Sequence, residues 1–278
     1  GGAAAVWGKT LGIFSPQEIS RHTAKLTDRT SSIVDRDLDS QRPQKQAEIL
    51  LTRAVSRDDR AVNQIQARLD GWRGKIQWDP QLSDLTTVAL NSTDPSVRVS
   101  SIEVQLAAYG LSKNESSVEA LVRQANSRDH AQKVWALWAL GLLANRGVQT
   151  DRIVQVLSEN IKHSGQSSDQ DSRRWAVEGL ALVGTTSTIA PLLQAMHDDP
   201  SPLVRERAAC SLAESGMLSH EQRLIAVPQL INYSSDPALD AQTHAWAFQA
   251  LADITKQHLP NDSAVWRSWY EKAAGSGQ

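Results

Sequence analysis

The chain has 278 residues, is 40% hydrophobic and carries a formal net charge of −2, a composition that excludes wholesale disorder and leaves ample length for a large core. Residues 1–80 hold 13 basic and 10 acidic side chains and residues 81–278 hold 16 and 21, so neither part has the basic excess on which counterion-driven nucleic-acid binding depends. Cys210 is the only cysteine, which excludes an intrachain disulfide framework or a zinc knuckle.

In chain order, the first segment is "GGAAAVWGKTLGIF" (1–14). It reads either as a flexible lead-in or as the stump of a signal peptide or membrane anchor. Location is accordingly open between cytoplasmic and membrane-tethered or periplasmic, and an N-terminal tether is compatible with the sequence. No run of about 18 apolar residues is present, so no membrane span is expected. Residues 15–80 read as N-terminal helices. "SPQE" (15–18) supplies a serine cap, a proline at the first helical position and a glutamate at the third. Ile19, Leu26 and Ile33 recur every seven residues beside Val34 and Leu38, a thin apolar stripe on a helix over 16–39. "AEILLTRAVSRDDRAVNQIQARLDGW" (47–72) has a helix–turn–helix rhythm.

From residue 81 to 259 the chain repeats itself. "DPSVRVSSIEVQLAAYG" begins at residue 94 and "DPSPLVRERAACSLAESG" at 199. Aligned on one leucine, the units centre on Leu106, Leu140, Leu180, Leu212 and Leu251, spaced 34, 40, 32 and 39 residues apart. The long spacing contains "SGQSSDQDS" (164–172), a Ser/Gly/Asp-rich insertion. Each leucine sits in an Ala-rich helical segment preceded by a polar turn and another helical segment. "SSVE" (116–119) predicts a serine cap for one of these, and the Asp-Pro turns at 94–95, 199–200 and 236–237 separate helices. Two helices per 32–40 residues predict an all-α fold, an α-solenoid of five hairpins.

Asp-Pro, then Val-Arg, then an Ala-rich helix ending Leu-x-x-x-Gly resembles the HEAT repeat in its short bacterial form, over roughly 81–257. The resemblance implies a curved superhelix whose second helices line the concave side, and a role as a protein-binding scaffold. Asp94, Arg98, Asp129, Lys133, Arg173, Asp199 and Arg205 form a charged row at the repeat turns. In this kind of repeat such a row ties one loop to the next. His244 stands where the last unit would place its basic residue.

Catalysis is not expected. HEAT-like di-iron hydroxylases carry several His-Glu pairs, whereas this chain has one, His220-Glu221. HEAT-like DNA glycosylases are strongly basic, which the acidic balance of residues 81–278 opposes. Bilin lyases also use such repeats and are the alternative reading. The seven histidines show no ligand spacing, and neither a phosphate loop nor a nucleophile elbow occurs. "HDD" (197–199) reads as a solvated turn. No cofactor and no metal are expected.

Nine tryptophans against two phenylalanines remain. Trp266, Trp269 and Tyr270 fall on one face of a helix within 260–278, read as the C-terminal cap. Trp135, Trp175 and Trp246 each precede the aligned leucine by five residues, on its flank. Trp138 shares a row with Val104, Glu178, Cys210 and Gln249, predicted to face solvent. "VWALWALGLLA" (134–144) has no polar side chain, so something must cover it: a partner, or residues 16–39. Trp135, Trp138, Leu142, Trp175 and Trp246 are therefore the expected partner-binding residues, and a protein is the expected partner.

Overall fold

The structure is a computed structural model that describes residues 35–162 and 169–275; every regular element among them is helical. Residues 1–34, with the capping sequence at 15–18 and most of the stripe over 16–39, lie outside the described residues. The contacts divide the chain into two compact units, one up to Lys113 and one from Asn114.

The first unit contains a short turn of helix, Asp35–Leu38, and two hairpins: α1 (Pro43–Val55) with α2 (Asp59–Trp72), and α3 (Pro80–Leu90) with α4 (Pro95–Ala108). Prolines begin α1, α3 and α4, where a missing N–H costs nothing. The Asp58, Asp79 and Asp94 carboxylates accept from first-turn amides of α2, α3 and α4, satisfying donors the helix itself cannot. The segment at 47–72 is thus a complete hairpin, a sixth beside the five aligned on leucines. Leu50, Ile65, Leu69, Trp72, Leu82, Leu85, Val97 and Val104 share one core, and Leu38 is buried in it. That sharing explains why the division falls after residue 113, not at the 80/81 boundary drawn on the sequence. Helices before and after residue 80 bury their apolar faces against each other.

The second unit contains four hairpins: α5 (Glu115–Ala125) with α6 (His130–Asn145), α7 (Thr150–Ile161) with α8 (Gln170–Val183), α9 (Ile189–Asp198) with α10 (Pro202–Ala213), and α11 (His220–Leu224) plus α12 (Val227–Tyr233) with α13 (Ala241–Thr255). The second helices stack in order, α6 on α8, α8 on α10, α10 on α13. Leu140, Leu180, Leu212 and Leu251 are each fully buried, as the repeat alignment requires. Asp129, Asp169 and Asp240 cap α6, α8 and α13. The serine cap predicted at 116–119 is instead Asn114, which accepts from the Ser117 amide; a reciprocal capping box does occur at Ser219 and Gln222.

Two contacts set how closely these hairpins pack. A methyl group added at Gly141 would stand 2.3 Å from the Gly179 carbonyl oxygen, and one added at Gly179 would stand 2.4 Å from that of Leu137. Backbones of α6 and α8 therefore touch directly, which only glycine permits. The buried Arg223 guanidinium donates to the Ser211, Leu212 and Ser215 carbonyls at 2.8, 2.9 and 2.9 Å. It completes the end of α10, where four carbonyls lack helical partners.

Helix α14 (Ser263–Gly275) packs against α12. Trp266 is 1% exposed, donates from its indole nitrogen to the Pro260 carbonyl at 3.1 Å, and meets Trp269 edge-on. Tyr270 is half-buried on the same helix.

Candidate partner-binding surface

In the second unit, α6 and α8 bury most of their surface against neighbouring helices and each keep one stripe partly open. On α6 the half-buried positions include Val134, Trp135 and Trp138; on α8 they include Asp171, Arg174, Trp175 and Glu178. Val134, Trp135 and Trp138 coincide with Arg174, Trp175 and Glu178 when the helices are aligned on Leu140 and Leu180, so one stripe continues from α6 to α8. The Arg174 guanidinium lies 4.9 Å from the Trp175 ring centre and 3.1 Å from Asp171. It lies over an aromatic face that attracts cations.

Leu142 and Trp246, expected to meet a partner, are 0% and 5% exposed. They belong to the packing between helices, because a position that faces outward on one second helix is enclosed where the next helix leans against it. The row through Trp138 is likewise not solvent-facing. Val104 and Cys210 in it are fully buried, and Glu178 accepts a hydrogen bond from Arg207 of the next hairpin. Helical angle alone treats each helix as having a single partner, whereas within the second unit α8 has α7, α6 and α10.

Burial pushes the Cys210 thiol up to about 11. A thiol so far above neutral pH is scarcely ionised there and is a poor nucleophile. Burial, with Asp253 beside it, also raises the Glu214 carboxyl.

From Arg173 onward, the charged row at the turns joins one hairpin to the next. Arg173 of α8 donates to both carboxylate oxygens of Asp199 at 2.7 and 3.2 Å, with both side chains buried. Arg205 reaches the Asp199 carbonyl at 2.8 Å and the Asp240 carboxylate at 2.6 Å. Asp94 and Asp129 are helix caps. Lys133 is buried, and burial lowers the Arg98 pKa against the opposing pull of Asp94. Asp199 is 3% exposed, which corrects the solvated turn expected at "HDD". The sequence signal for the pair was present in the recurring Asp-Pro turn; its burial was not.

Residues 154–252 match the family model of HEAT repeats. Over that stretch the chain is similar to HEAT repeats. A search of curated proteins returns no match to the chain. The HEAT segment runs from α7 into α13 and so contains Trp175, the Arg173–Asp199 pair and Arg205. Trp135 and Trp138 precede it, on the helix stacked against its first hairpin.

Among the described residues, no three His, Cys, Asp or Glu side chains are placed to hold a metal ion, and no helix is long and apolar enough to cross a membrane. A cavity of about 220 Å3 opens between α7 and α9, lined by Ser158, Ile161, Lys162, Gln194 and Asp198 among others. The Ser158 hydroxyl is committed to the Val154 carbonyl at 2.6 Å.

Proposed function

We propose that this chain is a non-catalytic scaffold that binds a protein segment along the stripe of α6 and α8, with Trp135, Trp138 and Trp175 as the anchors. HEAT repeats generally serve as protein-interaction scaffolds, and the stripe supports that role here. Three large aromatic side chains are held half-buried on helices whose backbones are locked together at Gly141 and Gly179. Rigid aromatics dominate interface energetics because they bury much area at little entropic cost.

Binding measured with a partner recovered by crosslinking from native lysate tests the reading. Trp138→Ala with Trp175→Ala should weaken that complex by about 2 kcal/mol or more, roughly thirtyfold. Because neither ring is fully buried, helical content should be retained. An unchanged dissociation constant in the folded double variant would overturn the proposal. The alternative of a bilin-lyase-like enzyme predicts a pigment retained through purification, which an absorbance scan of the same sample detects.

A further inference from the structure

His197, the penultimate residue of α9, has both ring nitrogens against carboxylates. Nδ1 lies 2.5 Å from Asp198 Oδ1, and Nε2 lies 3.1 Å from Asp236 Oδ2. A neutral imidazole has one N–H and one lone pair, so it can satisfy one of these acceptors and must turn a lone pair toward the other. Only the imidazolium donates to both. The acceptor across the hairpin boundary is fixed in place: Asp236 Oδ1 receives the Ala238 amide at 2.9 Å, and the Asp236 carbonyl lies 2.8 Å from His244 Nε2. The ring itself rests 4.9 Å from the ring centre of Tyr233 on α12, whose hydroxyl donates back to the Leu193 carbonyl of α9 at 3.3 Å.

We propose that His197 is a proton-dependent rung that clips α9 to the turn between α12 and α13, so that protonation tightens the last hairpin onto the one before it. The groups facing it are Asp198 of its own helix, Asp236 and the Tyr233 ring of the next hairpin, and His244 of α13 behind Asp236. One residue beyond Asp198, Asp199 is already neutralised by Arg173, leaving the two carboxylates at the ring for His197 to balance.

Partial burial works against the charged ring, but the hydrogen bonds and charges of Asp198 and Asp236 outweigh it and hold the pKa above the ordinary histidine value. The hydrogen bond from the Ala238 amide, then that from His197, keeps Asp236 below the usual carboxylate range. A raised histidine pKa means that the folded state binds the proton more tightly than the unfolded chain. The contribution is fully present below the unfolded value and is lost as pH rises through the folded one. His130 shows a looser version, its nitrogens 3.4 and 3.0 Å from Asp169 and Asp171. Its side chain is 52% exposed against 27% for His197.

The test is an NMR titration of His197 in the whole protein, folded and in urea, with hydrogen-exchange protection factors for residues 233–239 followed over the same pH range. The expected result is a folded pKa above the unfolded one, protection that falls as His197 loses its proton, and a downward shift of that pKa in Asp236→Asn. His197→Gln, which keeps one donor and cannot titrate, should flatten the pH dependence of protection. A folded pKa at or below the unfolded value overturns the proposal. So does protection at 233–239 that ignores the titration. Both measurements are made on the unmodified chain, so they decide the proposal even where a variant fails to fold.

Discussion

Asp199 holds three partners from one turn. Its carboxylate receives Arg173 of the preceding hairpin and the Ser201 amide of its own, and its carbonyl receives Arg205. Forming such a pair in the interior offsets a desolvation cost of several kcal/mol per ion, so its net contribution is small. Removing one partner is different, because the other charge remains buried alone. Arg173→Ala should therefore destabilise the fold by about 3–5 kcal/mol, read from urea unfolding followed by tryptophan fluorescence. Arg173→Lys should recover only part of the loss, since an ammonium cannot reproduce the two-pronged contact. A loss under about 1 kcal/mol for the alanine variant would mean the pair is screened by water, as surface pairs are.

At the scale of the element, the contact between α6 and α8 depends on having no side chain at Gly141 and Gly179. Glycine ordinarily weakens a helix by about 1 kcal/mol relative to alanine, and two of them in facing helices sacrifice propensity for proximity. Gly179→Ala should cost about 2 kcal/mol or more despite the better helix former, because the obstructing Leu137 oxygen is backbone and cannot rotate aside. Gly71, near the end of α2, is the control: an added methyl group meets nothing within 4 Å. Gly71→Ala should be neutral or stabilising by about 0.5 kcal/mol. Paired thermal melts of the two variants decide the matter, and equal effects would contradict the close approach.

For the whole molecule, hairpins of the second unit contact their neighbours in sequence order, which makes stability a sum of hairpin terms and nearest-neighbour terms. Leu140→Ala and Leu180→Ala should each cost about 2–5 kcal/mol through lost burial and the cavity left behind. Their helices pack on each other, so the double variant should depart from additivity by about 0.5 kcal/mol or more. Leu140→Ala with Leu251→Ala joins hairpins separated by two others and should be additive within about 0.5 kcal/mol. Equal coupling in both doubles would show that the unit unfolds as one globule and not as stacked repeats.

The repeat was legible without any tertiary information. An aligned leucine, an Ala-rich segment and a capped turn recur because each hairpin solves the same local problem of burying one face and satisfying its helix ends. Leu140, Leu180, Leu212 and Leu251 needed no tertiary information. The cap shift from Ser116 to Asn114 was a local competition between two acceptable caps, and the pattern could not rank them. The candidate site was less legible. Trp135, Trp138 and Trp175 were conspicuous as residues, but Leu142 and Trp246 looked equally available, since helical angle says which residues share a face and not which face a neighbour covers. Only the stacking order enclosed those two, sank Cys210 and buried Asp199. Only the tertiary fold also brought Asp236 to His197 across 39 residues of chain, because what decides a side chain's protonation is the charge that distant segments place beside it.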